Sequence, residues 1–124
     1  MSNKTVLIAD DSAISRKILS RRLSFEQIEH VVCSCGHSAL VQLKKAHTED
    51  RKLTIAILDE SMTISDTCMN GSQVVAHWKE MYPEKKVTFF SYSSNKVEGK
   101  GFEGAYVKPD LEHLIRAVKA IYFS

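Results

Sequence analysis

The sequence has little of anything that would mark an unusual class of protein. Its 124 residues include two prolines and five glycines, so the composition is that of an ordinary soluble globular chain. No apolar run approaches the roughly 18 residues that a membrane-spanning helix needs. The opening Met-Ser-Asn-Lys leads into a strand-like run and not into a secretory leader. No membrane association is expected, and the expected location is the cytoplasm. Cysteine is scarce too: Cys33, Cys35 and Cys68 are odd in number and lack zinc-type spacing, which suits a reducing compartment and argues against a disulfide framework. Charge of one sign is nearly balanced, at a formal net +2. The densest basic cluster, Arg16, Lys17, Arg21 and Arg22, recurs at helical spacing without interleaved aromatics, so nucleic acid is not an expected partner. The length leaves no room for two ordinary domains, and residues 1–124 are expected to form one, with no output domain after the last helix.

What is present is alternation. Residues 5–9 (TVLIA) form a continuous apolar run, the pattern of a strand buried on both faces. Ser12 is a good N-cap for a helix whose apolar stripe is Ile14, Ile18, Leu19 and Leu23. Residues 30–35 read as a second strand, which would put Cys33 and Cys35 on one face as buried structural thiols. Gly36 breaks that run before a helix carrying Leu40, Leu43 and Ala46. A third strand, 53–58 (LTIAIL), ends at Asp59, and a Ser- and Thr-rich loop leads to Gly71. Val74, Val75, Trp78 and Met81 mark a third helix that Tyr82 and Pro83 stop. Residues 86–91 (KVTFFS) read as the fourth strand. Residues 92–103 are polar with Gly99 and Gly101 close together, so any helix there is short or absent. Residues 104–107 form a short fifth strand, Lys108-Pro109 a turn, and Leu111, Leu114, Ile115, Val118 and Ile121 a final amphipathic helix.

Strands alternating with helices imply a doubly wound α/β fold with a five-stranded parallel sheet. In that architecture ligands bind outside the carboxyl ends of the strands, where strand order reverses. Those ends carry Asp10 and Asp11, Asp59, Ser91 and Lys108. Three carboxylates brought together repel one another unless a cation lies between them, and hard oxygen ligands suit Mg2+. Asp59 can then attack phosphorus as a nucleophile, with Lys108 and the Ser91 hydroxyl stabilising the phosphoryl oxygens. Taken singly, each residue has a plainer explanation. An Asp pair after a strand is often only a turn acid favoured by a helix dipole, and Lys108 alone could be solvated. Their joint placement is what favours chemistry. The five histidines show no metal-ligand spacing, and Trp78 with the Val pair reads as core.

On these motifs, VLIADDS at 6–12, ILDES at 57–61, FFSYSS at 89–94 and GAYVKP at 104–109, the chain resembles the receiver domains of two-component response regulators, including the stand-alone chemotaxis type. The resemblance runs from Thr5 to the last helix. It implies the flavodoxin-like receiver fold, Asp59 as phosphoacceptor, Asp10 and Asp11 as metal-site acids, and the backbone carbonyl of Ser61 as a further Mg2+ ligand. Ser91 would be the switch hydroxyl and Lys108 the phosphate-binding lysine. The implied function is Mg2+-dependent receipt of a phosphoryl group from a sensor histidine kinase or a histidine phosphotransfer protein, with a downstream protein target. The protein would then be a phosphoacceptor and not an enzyme.

The pattern is also broken in places. Twelve positions separate Asp59 from Gly71, more than in the family, and the usual proline after the methionine is missing. Only seventeen separate Ser91 from Lys108, which removes room for the helix between the fourth and fifth strands. Tyr92 stands where a small residue normally leaves the phosphoryl site open, and is expected to shield an aspartyl phosphate from water. Tyr106 lies two residues before Lys108, where the family's switch aromatic lies three before. Two rival functions remain. A haloacid-dehalogenase-like phosphatase would share the Asp, Mg2+ and Lys chemistry but needs a second Asp where this chain has Ser61. A receiver-like protein-binding module working without phosphorylation is the stronger rival.

Overall fold

Side chains alternate across a strand, so apolar runs without polar interruption must be covered on both sides of their sheet. The computed structural model, which describes residues 4–49, 52–62, 68–84, 86–97 and 99–124, shows that cover. In chain order the elements are β1 (Lys4–Ala9), α1 (Ala13–Phe25), β2 (His30–Cys33), α2 (Gly36–Thr48), β3 (Lys52–Leu58), α3 (Gly71–Met81), β4 (Thr88–Ser93), β5 (Gly104–Val107) and α4 (Leu111–Tyr122). All strand pairs are parallel and the order is β2-β1-β3-β4-β5. Leu7, Ala9, Ala56, Leu58 and Phe89 face one way, into a core closed by α2 and α3. Val6, Ile8, Ile55, Ile57 and Phe90 face the other way, onto α1 and α4. The expected doubly wound fold is therefore the observed one.

Helix ends follow their capping residues. The Ser12 hydroxyl accepts from the Ser15 amide at the start of α1. Asn70 opens α3 with a reciprocal capping box, its side chain taking the Gln73 amide while the Gln73 side chain takes the Asn70 amide. Arg22 of α1 forks onto Glu112 of α4 at 2.6 and 2.8 Å, and Glu26 bridges Arg22 and Lys119 at 2.9 Å each. This network ties together the two helices on that side of the sheet.

Three sequence expectations need adjustment. The stripe on α1 buries Leu19 and Leu23, but Ile14 and Ile18 are 73% and 48% exposed. They form a neighbouring row one residue, about 100°, round the helix from the row that meets the sheet. β2 stops at Cys33 and Cys35 instead becomes the N-cap of α2, so the two thiols do not share a strand face, and neither is fully buried. β4 lies two residues later than expected, because Tyr92 and Ser93 pair with Tyr106 and Val107 of β5. Among the described residues no helix lies between β4 and β5, as the short polar segment implied. The fourth helix in chain order is the full-length C-terminal one.

Candidate functional site

The strand order reverses between β1 and β3: from β1 the chain moves outward to β2, then returns to β3 on the other side of β1. Asp10 and Asp11 follow β1 and Asp59 follows β3, with the Asp59 amide donating to the Ala9 carbonyl at 2.9 Å. Carboxylate oxygens of the three acids lie within 4.8 Å of one another. Asp10 and Asp59 are buried while Asp11 is half-buried. Lys108, just beyond β5, reaches across to them, with its Nζ 2.8 Å from Asp10 Oδ2 and 3.4 Å from Asp59 Oδ2.

One ammonium facing three carboxylates leaves the cluster short of positive charge. Burial pushes the Asp10 carboxyl above its ordinary value and the Asp59 charge adds to this, while Lys108 and the Ser12 amide oppose it. Lys108 is itself held above its ordinary value: its burial opposes the charge, but the two carboxylates outweigh that. The Asp10 Oδ1 atom accepts from the Ser12 amide at 2.9 Å. Its Oδ2 atom, also buried, has Lys108 as charge partner but accepts no aligned hydrogen bond. A buried carboxylate oxygen with one ammonium as its only close partner, within an all-oxygen donor set, fits a hard divalent cation.

The other expected residues are placed unevenly. Ser61 is exposed, and its amide donates to Asp59 Oδ1 at 3.1 Å. Ser91 is fully buried, and its hydroxyl hydrogen-bonds to that of Ser93 at 3.2 Å and not to Asp59. Tyr92 is buried with its ring centroid 5.9 Å from Lys108 Nζ. Burial, together with the charges of Asp110 and Asp10, holds its phenol above the ordinary value against the pull of Lys108. Tyr106 packs on the α1 and α4 side of the sheet, 6.1 Å from Phe90 between ring centroids. A Cβ at position 104 would lie 2.9 Å from its hydroxyl, so Gly104 leaves the room its ring occupies.

Sequence reasoning missed three contributors. Ser93 Oγ accepts from the amide of Glu60, the residue after Asp59, at 2.8 Å. Glu60 clamps the start of α3, taking the Ser72 amide at 2.6 Å and the Ser72 hydroxyl at 2.5 Å. Arg16 donates to the Asp10 carbonyl at 2.7 Å. Glu60 stands far ahead of Gly71 in sequence, so only the fold brings it to the start of α3. Nothing in the spacing marked Ser93, whose role depends on where β4 ends. The centre of the long loop after Asp59, residues 63–67, lies outside the described residues.

No family model and no curated protein matches the sequence. Solved structures do match. A receiver domain protein from Methanospirillum hungatei, described as CheY-like, is 17% identical with a TM-score of 0.76, covering 97% of this chain and 94% of its own. The response regulator TrrA of Thermotoga maritima, in complex with Mg(2+)-BeF, is 20% identical with a TM-score of 0.75, covering 95% and 98%. The co-crystal structure of the Saccharomyces cerevisiae histidine phosphotransfer protein Ypd1 and the receiver domain of its downstream response regulator Ssk1 gives 15% identity and a TM-score of 0.79, over 98% and 90%. The chain has the response-regulator receiver fold. On that fold the acidic cluster and Lys108 occupy the crevice at the reversal of strand order. Among the described residues no helix is long and apolar enough to cross a membrane.

Proposed function

We propose that this chain is a single-domain response regulator, residues 1–124 forming one receiver domain, that takes a phosphoryl group onto Asp59. The convergence of Asp10, Asp11 and Asp59 with Lys108 at the switch point of the sheet carries this reading. An Asp59 carboxylate oxygen attacks phosphorus as the P–N bond of a phosphohistidine breaks, and the imidazole leaves with the electron pair. The product is an aspartyl phosphate. Mg2+, when bound by Asp10, Asp11, Asp59 and the Ser61 carbonyl, supplies charge neutralisation for the transferred group. Lys108 offsets the negative charge that develops on the phosphoryl oxygens. The Ser91 hydroxyl turns from Ser93 to donate to one of them. Tyr92, stacked beside Lys108, keeps water from the acyl phosphate, and a Tyr92→Ala protein that keeps its fold but loses phosphate no faster contradicts that role.

The donors by this reading are a sensor histidine kinase or a histidine phosphotransfer protein in the cytoplasm, as in the yeast pair whose receiver domain has the same fold. A downstream protein target completes the pathway, and the chain acts as phosphoacceptor and not as an enzyme. Incubation with a phosphorylated histidine phosphotransfer protein and Mg2+ tests this. Label should move to the parent and not to Asp59→Asn; label stable to alkali, or retained by the variant, overturns the assignment.

A second reading has an observation of its own. Among the described residues no helix lies between β4 and β5, and Val107 of β5 is left exposed, so the surface there differs from that of a five-helix receiver. A binding module that works without phosphate would leave Asp59→Asn as effective as the parent in partner binding.

A further inference from the structure

Two thiols outside the acidic cluster meet beside the segment that follows Asp59. Cys35 is the N-cap of α2, and Cys68 lies shortly before α3. The Cys68 thiol lies close enough to Cys35 to help hold its thiol down. Gly36 explains how residues so far apart in sequence come together. A Cβ at that position would lie 2.1 Å from the Met69 carbonyl oxygen and 2.9 Å from Val74 Cγ2, so the backbone after Cys68 rests directly on the backbone after Cys35. Both cysteines are half-buried, within reach of a small solute. The Cys35 thiol also lies 3.5 Å from the Ser38 hydroxyl.

The third cysteine supplies the contrast. Burial pushes the Cys33 thiol up to about 12, and its hydrogen goes to the Ile8 carbonyl at 3.5 Å. Burial also acts against the Cys35 thiolate, but the Ser38 amide and hydroxyl, the Cys68 thiol and the His37 amide outweigh it and hold Cys35 below the ordinary thiol value. A thiolate at the amino end of a helix is the form that reacts with oxidants.

We infer that Cys35 and Cys68 are a redox modification site, closing to a disulfide when the protein meets a hydroperoxide. The Cys35 thiolate attacks a peroxide oxygen; the O–O bond breaks, the departing oxyanion takes a proton, and a sulfenic acid is left on Cys35. The Cys68 sulfur then attacks the Cys35 sulfur, the S–O bond breaks, and the hydroxide combines with the Cys68 proton as water. Two thiols are oxidised and one peroxide is reduced to an alcohol, or to water, plus water. Thiols held near each other by the Gly36–Met69 backbone contact need only close to an S–S bond of about 2.05 Å. The cross-link would join the N-terminus of α2 to the approach to α3, and it forms whether or not Asp59 carries phosphate.

The test treats the full chain with hydrogen peroxide, blocks remaining thiols with N-ethylmaleimide after unfolding, and reads the intact mass. The parent should lose the mass of two hydrogen atoms and take up one maleimide where the reduced protein takes up three, with dithiothreitol reversing the change. Cys33→Ser should still cross-link, while Cys35→Ser and Cys68→Ser should not, with unchanged circular dichroism. Loss of the cross-link in Cys33→Ser, or a sulfinic acid on Cys35 without a cross-link, overturns the proposal. A measurement on the parent alone guards against variants that misfold: native Cys35 should be alkylated at least about tenfold faster than Cys33. Equal rates contradict the assignment.

Discussion

Asp10 is where charge and burial conflict most. Its carboxyl titrates above the ordinary 3.8, mainly because it is buried and because Asp59 adds a like charge. Only between the ordinary value and the folded one does the folded protein hold a proton that the unfolded chain has released. Its contribution to stability is therefore present at low pH and is lost as pH rises from the ordinary value through the folded one. Glu26, Glu112 and Asp110 act in the opposite sense. Lys119 and Arg22 hold Glu26 below its usual value, Arg22 does the same for Glu112, and His113 for Asp110, so these acids lose their contribution as pH falls. Comparing parent with Asp10→Asn separates the two. In urea unfolding with a chelator present, the parent's stability relative to the variant should decline as pH rises above about 4; a parallel pair of curves contradicts the account. Ser93 gives a second prediction at this scale. Ser93→Ala removes the acceptor of the Glu60 amide and should cost about 1–2 kcal/mol in urea unfolding. Ser91→Ala, which loses only a hydroxyl-to-hydroxyl bond, should cost less.

At the scale of elements, the meeting of α2 with the segment that enters α3 depends on one missing side chain. Gly36→Ala would drive a Cβ to 2.1 Å from the Met69 carbonyl oxygen, which is backbone and cannot swing aside. The expected cost is about 1–3 kcal/mol by denaturant unfolding, and a neutral result would mean that the segment moves freely. The elements were also where reading the sequence succeeded and failed by turns. The apolar runs before Asp10 and Asp59 were legible because a strand covered on both faces leaves no polar interruption. The end of β4 was not, since Tyr92 and Ser93 belong to the strand only through their pairing with β5, a partner distant in sequence. Ile14 and Ile18 fit a helical stripe equally well, and only the tilt of α1 on the sheet decides that Leu19 and Leu23 face inward. Cys35 continued a strand-like run by composition, yet an extended N-cap before Gly36 uses the same backbone conformation.

At the scale of the whole molecule, the reversal of strand order gathers acids from two strands and a lysine from beyond a third, so the site was legible from strand ends once the fold was. The hydroxyl chain from Ser91 through Ser93 to the Glu60 amide was not, because it is set by where a strand stops. A cluster short of positive charge makes the whole fold sensitive to a cation. At ten times its Kd, Mg2+ should stabilise the parent by about 1.4 kcal/mol, and Asp10→Asn and Asp11→Asn should lose most of that gain in thermal unfolding. Equal stabilisation of parent and variants would place any bound ion elsewhere. The most direct test of the central claim is the intact mass of the protein after incubation with Mg2+ and acetyl phosphate, beside Asp59→Asn. The account predicts one phosphoryl adduct on the parent, absent from the variant and from the sample without metal; an adduct that survives in Asp59→Asn, or forms equally in chelator, would contradict it.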